Sequence, residues 1–157
     1  MPKIHITTFI NAPIDRVFNL SRCLALSKMA LKGGKEQLLS SSAANMVAAG
    51  ETITLRAKHL GKTREITARV TDFTLPDGYT EEQIKGDLKS FRHEYHFKKV
   101  DNGTIMIDLV EYEGPRDLPG SLAGKFFLKS YFEKNVKKKN ELIRQYAESE
   151  KWKAVLT

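Results

Sequence analysis

Cysteine is almost absent: Cys23 is the only one in 157 residues. A lone thiol forms neither an internal disulfide nor a multi-cysteine zinc site, so a hydrophobic core must hold the chain together, and a reducing, cytoplasmic setting is expected. Long apolar runs are also missing. No stretch approaches the ~20 residues of a membrane-spanning helix, and the start, Met1-Pro2-Lys3-Ile4-His5-Ile6, lacks the apolar segment and cleavage site of a signal peptide. A metal motif is lacking too. His93 and His96 lie three apart, which on a strand sends them to opposite faces. Gly61-Lys62-Thr63 looks like the end of a phosphate loop, but Arg56 stands where that motif needs its first glycine. No metal and no cofactor is expected.

What is present suits one domain spanning residues 1–157. Apolar residues make up 41% and charged residues 29% of the chain, and a chain of this length buries roughly 70% of its unfolded surface, enough for a core and a cavity. The 26 Lys and Arg outweigh 19 Asp and Glu by seven. That excess is compatible with nucleic acid, anionic lipid or acidic ligands as partners. Nucleic acid is disfavoured, because there is no basic stripe interleaved with aromatics and no base-reading motif. Lys28, Lys32 and Lys35 near the short helices, and Lys125, Lys129, Lys134, Lys137, Lys138 and Lys139 in the C-terminal helical stretch, leave peripheral contact with a membrane surface open. Nothing in the sequence specifies an oligomeric state.

The hydrophobic periodicity changes along the chain in a definite order. Ile4, Ile6, Thr8 and Ile10 alternate as in a strand. Asn11-Ala12-Pro13 stops it, and Val17, Phe18, Leu20, Leu24 and Met29 give helical spacing to about residue 31, read as two short helices. Residues 32–50 are rich in small residues without a period and are expected to form a loop with some local helix. Ile53, Leu55, Ala57 and His59, then Ile66, Ala68 and Val70, alternate as two strands of a hairpin turning near Leu60-Gly61-Lys62. Leu75-Pro76-Asp77-Gly78 is a turn, followed by a weak strand near Tyr79 to Leu88 and clear ones from Phe91 to Val100 and Thr104 to Tyr112. Asp101-Asn102-Gly103 joins the last two, with Asn-Gly supplying positive φ angles.

Residues 120–150 contain no proline and predict one long helix of about 45 Å at ~1.5 Å per residue. Leu128, Phe132, Val136, Ile143 and Ala147 form its apolar stripe, and Lys134, Lys137, Lys138, Glu141, Arg144 and Glu148 lie opposite. Leu122, Phe126, Phe127 and Leu128 make its first turns apolar around much of the circumference, which calls for cover. An antiparallel sheet with one apolar face needs that helix to bury it. The expected class is α+β, with a curved antiparallel sheet around a long C-terminal helix and two short helices after the first strand.

Four segments carry a family resemblance across nearly the whole chain: Ile10 through Phe18, Arg56-Ala57-Lys58-His59-Leu60-Gly61, Phe91-Arg92-His93-Glu94-Tyr95-His96-Phe97, and Thr104 through Asp108 with Tyr112 and Pro115. In these the sequence resembles the START-like, or SRPBCC, superfamily. It is most similar to polyketide cyclase-like members and to bacterial ligand-binding members described as coenzyme Q-binding. Tyr95 stands where related sequences tend to carry a second histidine. The resemblance implies a helix-grip fold with a deep, largely apolar cavity between sheet and helix, used by different members for lipid, quinone or polyketide-like ligands.

Candidate site residues follow from strand faces. Phe91, His93, Tyr95 and Phe97 share one face, Thr104, Met106, Asp108, Val110 and Tyr112 another, and the hairpin register brings Asp108 near His93. A buried Asp and His are expected to pair. The expected ligand contacts are His59, His93, Tyr95, Met106, Asp108 and Tyr112 from strands, with Phe126, Leu128 and Phe132 from the helix. The same cavity offers two uses. Either it binds or transports a small hydrophobic molecule, or His93 and Asp108 act as acid and base in a cyclase, dehydratase or isomerase reaction. No nucleophile is indicated, so binding without chemistry is the expected activity.

Overall fold

The computed structural model describes residues 2–59, 62–115 and 122–156. Its elements run β1 (Lys3–Ile10), α1 (Ile14–Ser21), α2 (Leu24–Ala30), β2 (Gln37–Ser40), β3 (Thr52–His59), β4 (Lys62–Thr74), β5 (Gly78–Gly86), β6 (Leu88–Val100), β7 (Gly103–Pro115), α3 (Leu122–Ala147) and α4 (Trp152–Val155). The seven strands form one antiparallel sheet in the order β1-β7-β6-β5-β4-β3-β2. The class is α+β, as the alternation and the stripe imply. The expected turn at Leu60-Gly61 lies outside the described residues.

Inward positions follow the period-2 reading. Ile4 and Ile10 on β1, Ala68 and Val70 on β4, and Met106, Asp108, Val110 and Tyr112 on β7 are all buried. Register shifts between Thr67 and Ala68, and between Thr71 and Thr74, mark bulges in the β4–β5 ladder. Bulges add local twist and bend a strand, which lets the sheet curl over α3. The helix buries Leu128, Phe132, Val136, Ile143 and Ala147, while Lys134, Lys137, Lys138, Glu141 and Arg144 face outward. At its C-terminal end the helix is tied down by polar contacts. The Arg16 guanidinium donates to the Ala147 carbonyl at 2.9 Å, and the Asn11 amide donates to Glu148 at 2.8 Å.

Three local expectations need correction. Within residues 32–50, Gln37–Ser40 is a strand, paired from Ser40 opposite Ile53 to Gln37 opposite Arg56. Four residues are too few to show a period, so only the neighbouring β3 reveals it. Six strands instead of about five therefore follow α2. At the β6–β7 hairpin, Asn102 does not take a positive φ; Gly103 does, at 155°. A Cβ there would collide with the Ile10 carbonyl oxygen, so close approach of β1 is what requires glycine. Among the described residues, no helix is long and apolar enough to cross a membrane.

Candidate functional site

The β6–β7 ladder sets the site. Tyr95 lies opposite Asp108 and His93 opposite Val110, so His93 reaches Asp108 along the diagonal, within range of a long side chain. The His93 Nε2–H donates to Asp108 Oδ1 at 2.7 Å. From α3, Asn140 Nδ2 donates to Asp108 Oδ2 at 2.7 Å and to Thr8 Oγ1 at 3.2 Å. Asp108 is 0% exposed, and an ionised carboxylate only accepts hydrogen bonds, so both of its oxygens are occupied from two walls. A buried charge of this kind persists only when it is so satisfied. With the proton on Nε2, a neutral His93 ring keeps Nδ1 as an acceptor.

Aromatic rings extend the site along β5 and β6. Tyr95 stacks on His93 with ring centres 3.9 Å apart, and Tyr79 stacks on Tyr95 at 4.4 Å. The Tyr79 hydroxyl pairs with Ser21 Oγ at 3.0 Å, and Lys139 Nζ lies 5.2 Å from the centre of the Tyr95 ring. Burial pushes the Tyr79 and Tyr95 phenols well above the usual range, and the Glu81 carboxylate adds to both. Charging either phenol here would cost desolvation and repulsion together.

Of these groups, His93, Tyr95, Asp108, Lys139 and Asn140 line a partly open cavity of about 150 Å³ between the sheet and α3. Its remaining walls are mostly apolar: Leu38, Ile53, Leu55 and Phe91 from strands, Phe132 and Val136 from the helix. Side chains from β2 through β7 meet in one space, which only a curved sheet permits. Leu31 and Leu38 also border a wide, open groove of about 640 Å³ beside Lys28 and Lys32.

Of the sequence-derived candidates, the structure brings His93, Tyr95, Asp108 and Phe132 together on the cavity. Met106 lies opposite Phe97 in the core beneath α1, while Tyr112 and Leu128 pack in a second core with Ile4 and Leu88. These three fill the ends of the sheet–helix interface instead of lining its gap. Phe126 is 72% exposed, because two residues before Leu128 is ~200° around the helix from the buried stripe. His59 ends β3, and its side chain lies outside the described residues. Sequence reasoning missed Glu81, Lys139 and Asn140. For Asn140 a signal existed: Phe132, Val136, Asn140, Ile143 and Ala147 follow one helical stripe, and a polar residue inside it calls for a buried partner.

No protein-family model and no curated protein matches the chain. Solved structures do. A Thermus thermophilus protein, TTHA0849, superposes with a TM-score of 0.72 at 20% identity, over 90% of this chain and 97% of that one. Ginseng major latex-like protein 151 from Panax ginseng gives 0.66 at 12%, over 93% and 97%. The di-domain ARO/CYC StfQ from the steffimycin biosynthetic pathway gives 0.69 at 11%, over 93% of this chain and 50% of that one. The chain has the START-like helix-grip fold. In this helix grip the His93–Asp108–Asn140 bridge pins α3 to the sheet, and the cavity lies beside it. Among the described residues, no group of three or more His, Cys, Asp or Glu is placed to hold a metal ion.

Proposed function

We propose that the protein binds a small hydrophobic molecule in the cavity between sheet and α3, with His93 and Tyr95 at its polar end. The observation that carries this reading is the make-up of the lining: apolar side chains form most of it, and among its polar members His93, Asp108 and Asn140 are joined by hydrogen bonds, with Ser27 and Asn135 set apart from them. Size narrows the ligand. An engineered apolar cavity of about 150 Å³ holds benzene, whereas drug-sized pockets run to about 300–1,000 Å³. A ring-sized body suits this space, and a lipid or quinone tail would have to continue past Leu31 and Leu38 into the open groove. Burying ~200 Å² of apolar ligand surface contributes about 5 kcal/mol before the costs of association.

A second reading, acid–base catalysis in the same cavity, is favoured by one observation. Asp108 orients the His93 ring through one oxygen while its other oxygen accepts from Asn140, which leaves His93 Nδ1 as the group to exchange a proton with a ligand. In that case His93 is the reacting group and Asp108 its positioning residue. The fold shared with StfQ is compatible with either use.

Organic extraction followed by native mass spectrometry, together with titration of an apolar fluorescent probe, tests binding. Val136→Phe places a ring in the cavity and is expected to weaken probe binding about tenfold or more; unchanged affinity would place the ligand elsewhere. His93→Ala separates the two readings. Binding retained with turnover lost supports catalysis, and turnover that survives the substitution removes His93 from it.

A further inference from the structure

The polar end of the cavity holds two charged side chains that the His93–Asp108–Asn140 bridge does not use. Glu81 stands directly across from His93 in the β5–β6 ladder, so the two side chains leave the sheet on one face. Lys139, adjacent to Asn140 on α3, comes from the opposite wall. Both line the cavity and the smaller adjoining space beside Ser21 and Arg22, which places them at the same end. Tyr95 lies between them, its phenol beside Glu81 and its ring beneath the Lys139 ammonium. Among the described residues, neither Glu81 nor Lys139 has an ion-pair partner, the other included.

Charge bookkeeping then selects the head group. Asp108 is held by two hydrogen bonds, and Glu81 and Lys139 cancel in sum while staying apart. A bare anion at this end can pair with Lys139 only against Glu81 and Asp108, and a bare cation can pair with Glu81 only against Lys139. A head that donates to Glu81 and accepts from Lys139 satisfies both walls and adds no net charge.

Resting on the reading that the cavity takes an apolar body, we infer that its ligand ends in a net-neutral, dipolar head such as a carboxamide or a hydroxy-carbonyl group, bridging Glu81 on the sheet and Lys139 on the helix. Four compounds sharing a phenylpropyl body test this: 3-phenylpropanamide, 3-phenylpropanoate, 3-phenylpropylammonium and propylbenzene, each titrated into ¹⁵N-labelled protein and followed by amide shifts around the cavity. The amide is expected to bind about tenfold more tightly than either ion and than propylbenzene. Glu81→Gln should narrow the gap for the carboxylate alone, and Lys139→Gln for the ammonium alone, with the spectrum of each variant confirming that it is folded. The ranking on the unsubstituted protein stands without either variant. Either ion binding as tightly as the amide overturns the inference. Equal binding of all four overturns it while leaving the apolar cavity intact, and no binding by any of them removes both.

Discussion

The two hydrophobic clusters that flank the cavity are built differently. Around Phe18, helices α1 and α2 and the C-terminal half of α3 close one end of the sheet, and Phe18 meets Phe73, Tyr79 and Phe97 edge-on with ring centres 5.4, 5.6 and 5.2 Å away. Of its two buried phenols, Tyr79 has Ser21 as a partner and Tyr95 lies beside Glu81. Around Phe132, among the described residues, the N-terminal half of α3 alone covers Ile4, Leu88, Val110 and Tyr112. There the Tyr112 hydroxyl is buried without a hydrogen bond to any described residue, and Phe126 and Phe127 face outward. Geometry explains the contrast. Seven strands about 4.8 Å apart span roughly 29 Å, whereas one helix is only ~10–12 Å across. Two extra helices plug one end, and the uncovered remainder contains the cavity.

The largest test of that contrast compares two phenylalanines. Phe18→Ala empties a site that is 0% exposed and ringed by aromatic edges, and is expected to cost about 4 kcal/mol in denaturant unfolding. Phe132→Ala enlarges a space that already exists, so the low end of the range for a buried phenylalanine, about 3 kcal/mol, is expected. Equal losses would mean that the two clusters are packed alike.

Next comes the bridge between them. Asp108→Ala removes the acceptor shared by His93 and Asn140, leaving the buried His93 Nε2 unpaired and Asn140 with Thr8 alone, and is expected to cost about 3 kcal/mol. A loss under ~1 kcal/mol would show that water replaces the carboxylate without penalty.

The smallest effect is in pH dependence. Burial, then Glu81, holds the Tyr95 phenol well above the usual range. A group whose folded pKa is raised contributes stability that is full below the unfolded value, about 10 for tyrosine. That contribution is lost as pH climbs from there through the folded value, because the unfolded chain releases its proton first. Tyr95→Phe should therefore leave stability at neutral pH within ~1 kcal/mol and make its fall above pH ~10 shallower. Parallel curves for the two proteins would exclude Tyr95 from alkaline unfolding.

Much of this architecture is legible in local pattern. Alternation in Ile4 to Ile10, Phe91 to Phe97 and Thr104 to Tyr112 survives because one sheet face is buried, and a one-residue slip would turn every apolar side chain to water. The pairing of His93 with Asp108 is legible through the same rule joined to a short hairpin. Strand β2 and helix α4 are not, since four residues each carry no measurable period. Lys139 was hidden for another reason. It ends the run Lys137-Lys138-Lys139, which reads as a solvated face, yet a 100° step per residue turns its side chain to the cavity while its two neighbours stay exposed.

Residue order alone thus determined the class of fold, the inward faces of the strands and the buried stripe of the long helix, because each depends on periodicity within a segment. Whether Met106, Tyr112 and Leu128 would line a cavity or fill a core was decided only by the tertiary structure. So was the meeting of Glu81, Lys139 and Asn140, which come from separate elements. Close packing on one side of a gap and open space on the other depend on how far a single helix can cover a wider sheet, a property of the assembled layers that no stretch of sequence contains.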